Sequence, residues 1–528
     1  MALKKEAYEA LRDVVGPEYI TQAPAILDTY NQVWGNKLLF DEKWSNRPAA
    51  VLLPGNTEEV QAIVRVCNRH KIPFKPFSSG FEVTATALVS ERAIVLDLKR
   101  MNKILEIDVK NMRAVVEPYV SVYRLQMELA KHGLFTSAIS AGPSAGVIAS
   151  SCCHGGSGGT QVFTGGLGRN VLGCEWVLPT GEVLRMGSAE AGDGWFSADG
   201  PGFGLRGLLR GHSGANGAHG VITKASVKLY PWYGPPEWEL AGNPPAIKQL
   251  EKVPDGYKGF VITFPNGDNT HDAMREIGQA GIAFSLMQLI AGASVEGNDE
   301  MWAEIQKMNP EDAMIGDVSL ILLLCAASPR EMEYREKYLF KICEKWGGIL
   351  VPPLNDPKFV ASRVAMMVWS MGPVREVFRG TTDFFISPCG DSSEDLLKNM
   401  HKKGVETIRP YIEKGALMAP GPFAFHVPYE NCSVGGHMEC LYFYDPFDPK
   451  SLEGTRELVG KTVDPQGEFR RFGVPCLGGG LQIEYVSHIS QTWGPLYDDY
   501  HLWLAKIKEA LDPDCLGDWS AYVPPVFP

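Results

Sequence analysis

The chain lacks several features that would assign a function at once. It carries 50 Lys and Arg against 62 Asp and Glu, a net charge of -12 over 528 residues. Without a surplus of positive charge it lacks the main source of nucleic-acid affinity, so nucleic acid is not an expected partner. No apolar run is long enough for a bilayer. The longest, Val318 to Ala327, reads as a buried strand, so no membrane span is expected. The opening MALKKEAYEALRDVVG mixes charge with small apolar residues and has no leader-like apolar core, which predicts a chain starting near Met1 and a cytoplasmic location. The 11 cysteines form no CxxC pair, and only Cys152 and Cys153 are adjacent. Cys67, Cys174, Cys325, Cys343 and Cys440 lie among apolar neighbours and are expected as small buried thiols rather than cluster ligands. No GxGxxG opens a helix after a first strand with an acidic residue some 20 positions on, so the Rossmann fingerprint is missing as well.

What is present is ample apolar content, 45% of residues with 21% charged, in a chain long enough for two or three packed units. Residues 1–47 read as an N-terminal helical lead-in. RPAAVLLP, a helix capped at Asn56 or Thr57 and the strand Ile72–Phe77 then form a β–α–β unit. Short strands at Ala93–Leu98, Ile104–Val109 and Arg113–Pro118, a helix over 120–133, a hairpin around Pro179-Thr180-Gly181 and a further strand pair or long strand over Gly217–Tyr230 complete an α+β unit at 48–231. PWYGPP at 231–236 cannot continue regular structure and marks a boundary. From 237 to 475 strands alternate with helices, which predicts a sheet covered by helices. Residues 476–528 form a last segment with a helix over Tyr497–Leu511.

The densest signal is PSAGVIASSCCHGGSGG at Pro143–Gly159. Gly, Ser and Ala clear side chains from the backbone, so its N–H groups can surround a diphosphate. Around it stand PFSSG, DLKRMNKILEID, RAVVEPYVSVYRLQMEL, LGCEWVLPTGEVLRMGS and SGANGAHGVITKASVKLYP. Six such segments in this order resemble the vanillyl-alcohol oxidase/p-cresol methylhydroxylase superfamily of FAD proteins, strongly over roughly residues 5–235 and more weakly to about 515. The resemblance implies an α+β fold with a two-lobed FAD-binding domain of the PCMH type and a cap domain over the flavin ring. It implies a first phosphate loop at Pro76, Ser78, Ser79, Gly80, Phe81 and Glu82, and a second at Pro143, Ser144, Gly146, Val147, Ser150, Ser151, His154 and Gly155. Gly220, Val221 and Ile222 resemble the segment that meets the adenosine half.

Departures from the family pattern carry the chemistry. The cap segment that tethers FAD in phenol oxidases reads TTDFFISP here, with Asp383 at the tether position, and the first phosphate loop has no His. FAD is therefore expected to be non-covalent, with Cys152 or Cys153 as the alternative attachment point. The aspartate base of the phenol branch falls near Gly165-Gly166, and its Tyr-Arg pair is missing. GGLGRNVLGCEWVLPTGEV instead resembles the D-2-hydroxyacid dehydrogenase/glycolate oxidase branch, whose members commonly hold a divalent metal through His and Glu.

The candidate ligands are His426, His437, Glu439, Glu484 and His488. His437 and Glu439 share a face if strand-borne, as side chains two apart do, and His437, Glu439 and His488 are the candidate proton acceptors. Metal site, metal-free acid/base set and structural polar cluster all stay open. The expected function is an FAD-dependent oxidoreductase that removes hydride from a C–H bond of an alcohol, hydroxyacid or aromatic side chain. The alternatives are a metal-dependent lyase or hydrolase on the same fold and a non-catalytic electron-transfer subunit. The expected partners are a small-molecule substrate, a second copy of the chain and an electron-transfer protein.

Overall fold

The computed structural model describes residues 3–31, 46–80, 88–137, 144–153, 156–186, 194, 204–209, 217–237, 240–241, 249–250, 253–288, 318–369, 383–433, 435–464, 466–472, 498–519 and 523. The chain opens with helix α1 (Lys5–Val15), which buries Ala7, Leu11 and Val15 at helical spacing. Strand β1 (Ile20–Thr21) follows and pairs antiparallel with β2 (Ala50–Leu52). Helix α2 (Thr57–His70) starts where the Asn56 side chain accepts the Glu59 N–H, and it stops at Lys71 in the left-handed region. Strands β3 (Phe74–Phe77) and β4 (Ile94–Asp97) complete a sheet of order β1-β2-β4-β3, with β2, β4 and β3 parallel. α1 and α2 pack on it through Leu11, Val60, Ile63 and Val64 against Leu52, Ile94 and Leu96.

A second, antiparallel sheet has the order β5-β6-β9-β7-β8, formed by β5 (Ile104–Asp108), β6 (Arg113–Val116), β7 (Val171–Val177), β8 (Val183–Arg185) and β9 (Val221–Lys228). Helix α3 (Val122–Ala130), capped by the Ser121 hydroxyl, covers it with Leu125 and Leu129. The region expected to hold one long strand or a strand pair between Gly217 and Tyr230 contains the single central strand β9, followed by the two-residue pairing of Tyr230-Pro231 with Leu134-Phe135.

The second half of the chain supplies β10 (Tyr257–Thr263), α4 (Gly267–Gln279), β11 (Ala283–Gln288), β12 (Ser319–Cys325), α5 (Pro329–Trp346), β13 (Ile349–Leu350), α6 (Pro357–Trp369), β14 (Asp383–Ser392), α7 (Glu394–Glu413), β15 (Met418–Pro428), β16 (Gly436–Tyr444) and α8 (Pro449–Val463). The strands form antiparallel sheets β11-β12-β10-β13 and β14-β16-β15, with β15 lying beside β11. Every residue of β12 is buried, the pattern of a central strand covered on both faces.

One face, with Ile262, Leu286, Leu320 and Leu322, packs on α4 and α5. Met438, Cys440, Tyr442 and Tyr444 continue that side under α7 and α8. The opposite face, with Val261, Ile321, Leu323, Val427 and Leu441, meets α6 and the N-terminal half through Val364, Met367, Phe135 and Trp232. Helix α9 (Tyr500–Leu511) leads the chain back to the first sheet, where Phe74 N–H donates to Leu516 and Asp518 N–H donates to Phe74.

Candidate functional site

The two small-residue turns expected to hold a diphosphate meet in space. Ser78, Ser79 and Gly80 follow β3, and Gly80 takes φ +66°, where a side chain would strain the backbone. Ser78 Oγ donates to the Pro118 carbonyl at 2.7 Å. A Cβ on Gly146 would stand 2.8 Å from Ser78 Oγ, so only a bare backbone lets the second turn approach the first. The second turn then closes on itself: Ser150 N–H donates to Gly146 and Gly156 N–H to Ser150. Pro76 faces the glycine turn at Gly217, whose Cβ would meet its ring at 2.8 Å.

Gly220, at φ +107°, is held so close to the Val177 carbonyl that a Cβ would sit 2.3 Å away. Val221 and Ile222 are buried and pair with β7, while β6 pairs β9 only from Ala225 onward. Phe81, Glu82, Pro143, His154 and Gly155 lie outside the described residues. Among the described residues the two turns bring glycine backbone and serine hydroxyls together, the donor set that backbone capture of a diphosphate uses, so the residues present fit the group.

The lobes on either side of the seam are tied by Glu175, buried on β7. Its carboxylate accepts from Thr57 Oγ1 on α2 at 2.7 Å and pairs with Lys224 Nζ at 2.8 Å and Arg185 Nε at 3.0 Å. Burial alone would raise its pKa, but the Lys224, Thr57 and Arg185 contacts outweigh it and hold the group at about 2. The thiols of the cradle go the other way: burial pushes Cys152 well up and Cys153 to about 12, so both are protonated and poorly nucleophilic.

The cradle ends against the β11-β12-β10-β13 sheet. Gly159 accepts from Leu286 N–H, and its Cβ would meet Ser285 on β11 at 2.4 Å. Strand register now decides which polar groups look toward it, because directly paired residues share a face. His437 pairs with Asp391 on one side and Val427 on the other, and Glu439 pairs with Cys389. These groups therefore stand on the face opposite the helix-covered one. His437 Nδ1 lies 2.7 Å from Asp391 Oδ1, and Nε2 lies 3.0 Å from Glu439 Oε1.

Tyr429 OH donates to Asp391 at 3.2 Å and lies 3.5 Å from Ser157 Oγ of the cradle. Burial, with the Asp391 charge beside it, pushes the Tyr429 phenol up, so it stays a donor. A neutral imidazole offers one N–H and one lone pair, yet both of its nitrogens here face carboxylates. A proton shared between His437 and a carboxyl group, or a metal ion, would suit the His437–Glu439 contact. An ion suits the spacing, because neighbouring ligands at about 2.1 Å from an octahedral centre are about 3 Å apart. Cys389 belongs to the same candidate ligand set, with donor atoms within 4.8 Å of one another.

His426 is not part of this array. It pairs with Met438 and so stands on the helix-covered face, among His271, Glu394 and His401. The sequence grouping of His426 with His437 is separated by one step of register, since adjacent strand positions point to opposite sides. Glu484 and His488 lie outside the described residues, as does any contribution from them. Sequence reasoning missed Asp391, Cys389, Tyr429 and Ser157. The available signal was the alternation of Cys389 and Asp391 two apart, the same spacing as His437 and Glu439, but only the β14–β16 register brings the two pairs together.

The comparisons with known proteins bear on the cofactor domain and the fold. A family model described as an FAD binding domain matches residues 48–187. The chain is 30% identical to the glycolate oxidase subunit GlcD of Bacillus subtilis over 232 residues, 43% of this chain and 46% of that one, so that match spans about half of the relative's length. It is 24% identical to the Escherichia coli glycolate oxidase subunit GlcD over 494 residues, 91% of this chain and 85% of that one. Substrate-bound p-cresol methylhydroxylase shares the fold, with a TM-score of 0.74 at 20% identity over 97% of this chain and 95% of the other. Residues 48–187 therefore match an FAD binding domain, and along its length the chain has the fold of p-cresol methylhydroxylase.

Proposed function

We propose that the chain holds FAD without a covalent bond, in the seam between residues 76–80 and 144–156, and dehydrogenates the hydroxyl-bearing carbon of a small 2-hydroxycarboxylate. In this reading residues 48–231 form the flavin domain and 237–475 the substrate cap. The observation that carries the proposal is the Asp391–His437–Glu439 array on the sheet face joined to the cradle through Tyr429 and Ser157. The names of the glycolate oxidase relatives support the substrate class.

When bound, FAD supplies the acceptor for the two electrons and hydrogen of the breaking C–H bond. The chain's own residues manage the other proton. Asp391 fixes the His437 ring, with Tyr429 fixing Asp391, so Nε2 and Glu439 are presented together as the pair that receives the hydroxyl proton. Two carboxylates beside an anionic substrate repel it. A divalent ion held there instead by His437, Glu439 and Cys389 would remove that repulsion and take the substrate's carboxylate and hydroxyl oxygens, and the Nε2 lone pair would then serve the ion rather than the proton. The Tyr429 hydroxyl and the backbone of Gly158 and Gly159 close the cradle side.

The test is anaerobic mixing of the purified protein with glycolate, longer 2-hydroxycarboxylates or p-cresol, following loss of the visible flavin absorbance. Hydroxycarboxylates should bleach it, and His437→Gln should slow the bleaching by about 10²- to 10⁴-fold with FAD content unchanged. Bleaching by p-cresol alone rejects the substrate class. An unaltered rate in His437→Gln rejects the proton role, and flavin that stays with the acid-precipitated protein rejects non-covalent binding.

A further inference from the structure

On the helix-covered side of the sheet, away from the cradle, three elements bring a second set of donors together. His426 comes from β15, Glu394 from the first turn of α7 and His271 from α4, and their ligand atoms lie within 4.8 Å of one another. All three are more than nine-tenths buried: His426 is 0% exposed, His271 3% and Glu394 6%. Both ring nitrogens of His426, both carboxylate oxygens of Glu394 and Nδ1 of His271 find no hydrogen-bond partner among the described residues. Buried polar atoms are almost always satisfied, and bare ones on three residues whose ligand atoms lie within 4.8 Å of one another call for an occupant.

The His426 Nε2 to Glu394 Oε2 distance is 2.9 Å, yet the contact lacks hydrogen-bond geometry. It matches instead the spacing of two neighbouring ligands on one ion. A Cβ on Gly436 would stand 2.8 Å from Glu394 Oε1 and 3.0 Å from His426 Nε2, so bare backbone lets both donors pack closely there. His271 is oriented by His401: its Nε2 lies 3.2 Å from His401 Nδ1. With Nε2–H donating there, Nδ1 keeps its lone pair, the outer-shell arrangement usual for metal-bound histidine. His271 and His401 also line a cleft of about 900 Å³, which gives an ion and a completing water their route in.

We infer that His271, Glu394 and His426 form a binding site for a divalent transition-metal ion of the zinc type, separate from the Asp391–His437–Glu439 array. Two imidazoles and one carboxylate are a ligand set suited to such an ion, with solvent from the cleft as the remaining ligand. The ion would join α4, α7 and β15, and its role is to lock those helices onto the sheet rather than to touch substrate.

The test is metal content by mass spectrometry after the FAD-loaded protein is stripped with chelator, incubated with zinc and desalted, in the wild type, Glu394→Gln, His426→Gln and His437→Gln. The expected result is loss of one zinc per chain in Glu394→Gln and His426→Gln relative to wild type, with FAD content retained, and persistence of that zinc in His437→Gln. Wild-type protein that holds no zinc overturns the inference. So does zinc that survives both Glu394→Gln and His426→Gln, or zinc lost only in His437→Gln. Should His426→Gln fail to fold, cobalt binding by the wild type decides. Nitrogen and oxygen ligation without thiolate charge-transfer absorption supports the site, and cobalt absorption showing only a thiolate-ligated ion assigns the metal to Cys389 and overturns it.

Discussion

Glu175→Gln separates the structural and electrostatic roles of the group that ties the two lobes around the proposed cofactor seam. The carboxylate is 2% exposed and its pKa falls from 4.5 to about 2, because its contacts with Lys224, Thr57 and Arg185 overcome the cost of burial. At 1.36 kcal/mol per unit, that shift corresponds to about 3.4 kcal/mol of stability from the ionised form. Lys224 and Arg185 are 31% and 54% exposed, so solvent screens part of the attraction and about 2 kcal/mol is the better figure.

The folded pKa is depressed, so this stability is fully present above pH 4.5 and is lost as pH falls toward 2. Roughly half remains at pH 3. Thermal unfolding of wild type and variant should therefore differ by about 4–8 °C at pH 7, taking 2–4 °C per kcal/mol for a unit of this size. The gap should narrow steadily below pH 4.5, and flavin fluorescence should rise before the tryptophan signal changes as the seam opens. An equal gap at pH 7 and pH 3 would refute the electrostatic account. No gap at all would refute Glu175 as the tie between lobes.

Gly146→Val sets a branched side chain against Ser78 Oγ, so the purified variant should lose most of its visible flavin absorbance on desalting; full retention would remove these turns from the cofactor site. Tyr429→Phe cuts the link from Ser157 to Asp391, and substrate-dependent bleaching should slow about tenfold with FAD content unchanged; a wild-type rate would show that Asp391 holds His437 unaided. Native protein at pH 8 should resist iodoacetamide at Cys152 and Cys153, since burial raises both thiols; rapid labelling at either would contradict that placement.

Much of the fold was legible because it rests on local chemistry. Asn56 capping α2, the alternation of short strands and turns, and the unbroken apolar run of β12 each report a local backbone preference or a burial pattern. The close approach of the two small-residue turns was legible for the same reason, since a run of Gly, Ser and Ala has few uses besides it. The polar site was not. Spacing put His437 and Glu439 on one face, but it also grouped His426 with them, and it contained nothing to connect Asp391 to His437 across 46 residues.

By itself, the sequence determined that this chain packs mixed helix and sheet around a small-residue turn fit for a nucleotide cofactor, because glycine tolerance and hydrophobic period are properties of neighbouring residues. Tertiary structure alone decided how its ionisable groups are divided. The β14–β16–β15 register sends His437, Glu439, Asp391 and Cys389 to the cradle side and His426 to the helix side, where it meets Glu394 and His271. The reason is the two-residue period of a strand: a one-residue offset, invisible without the pairing partner, moves a side chain from one face of the sheet to the other.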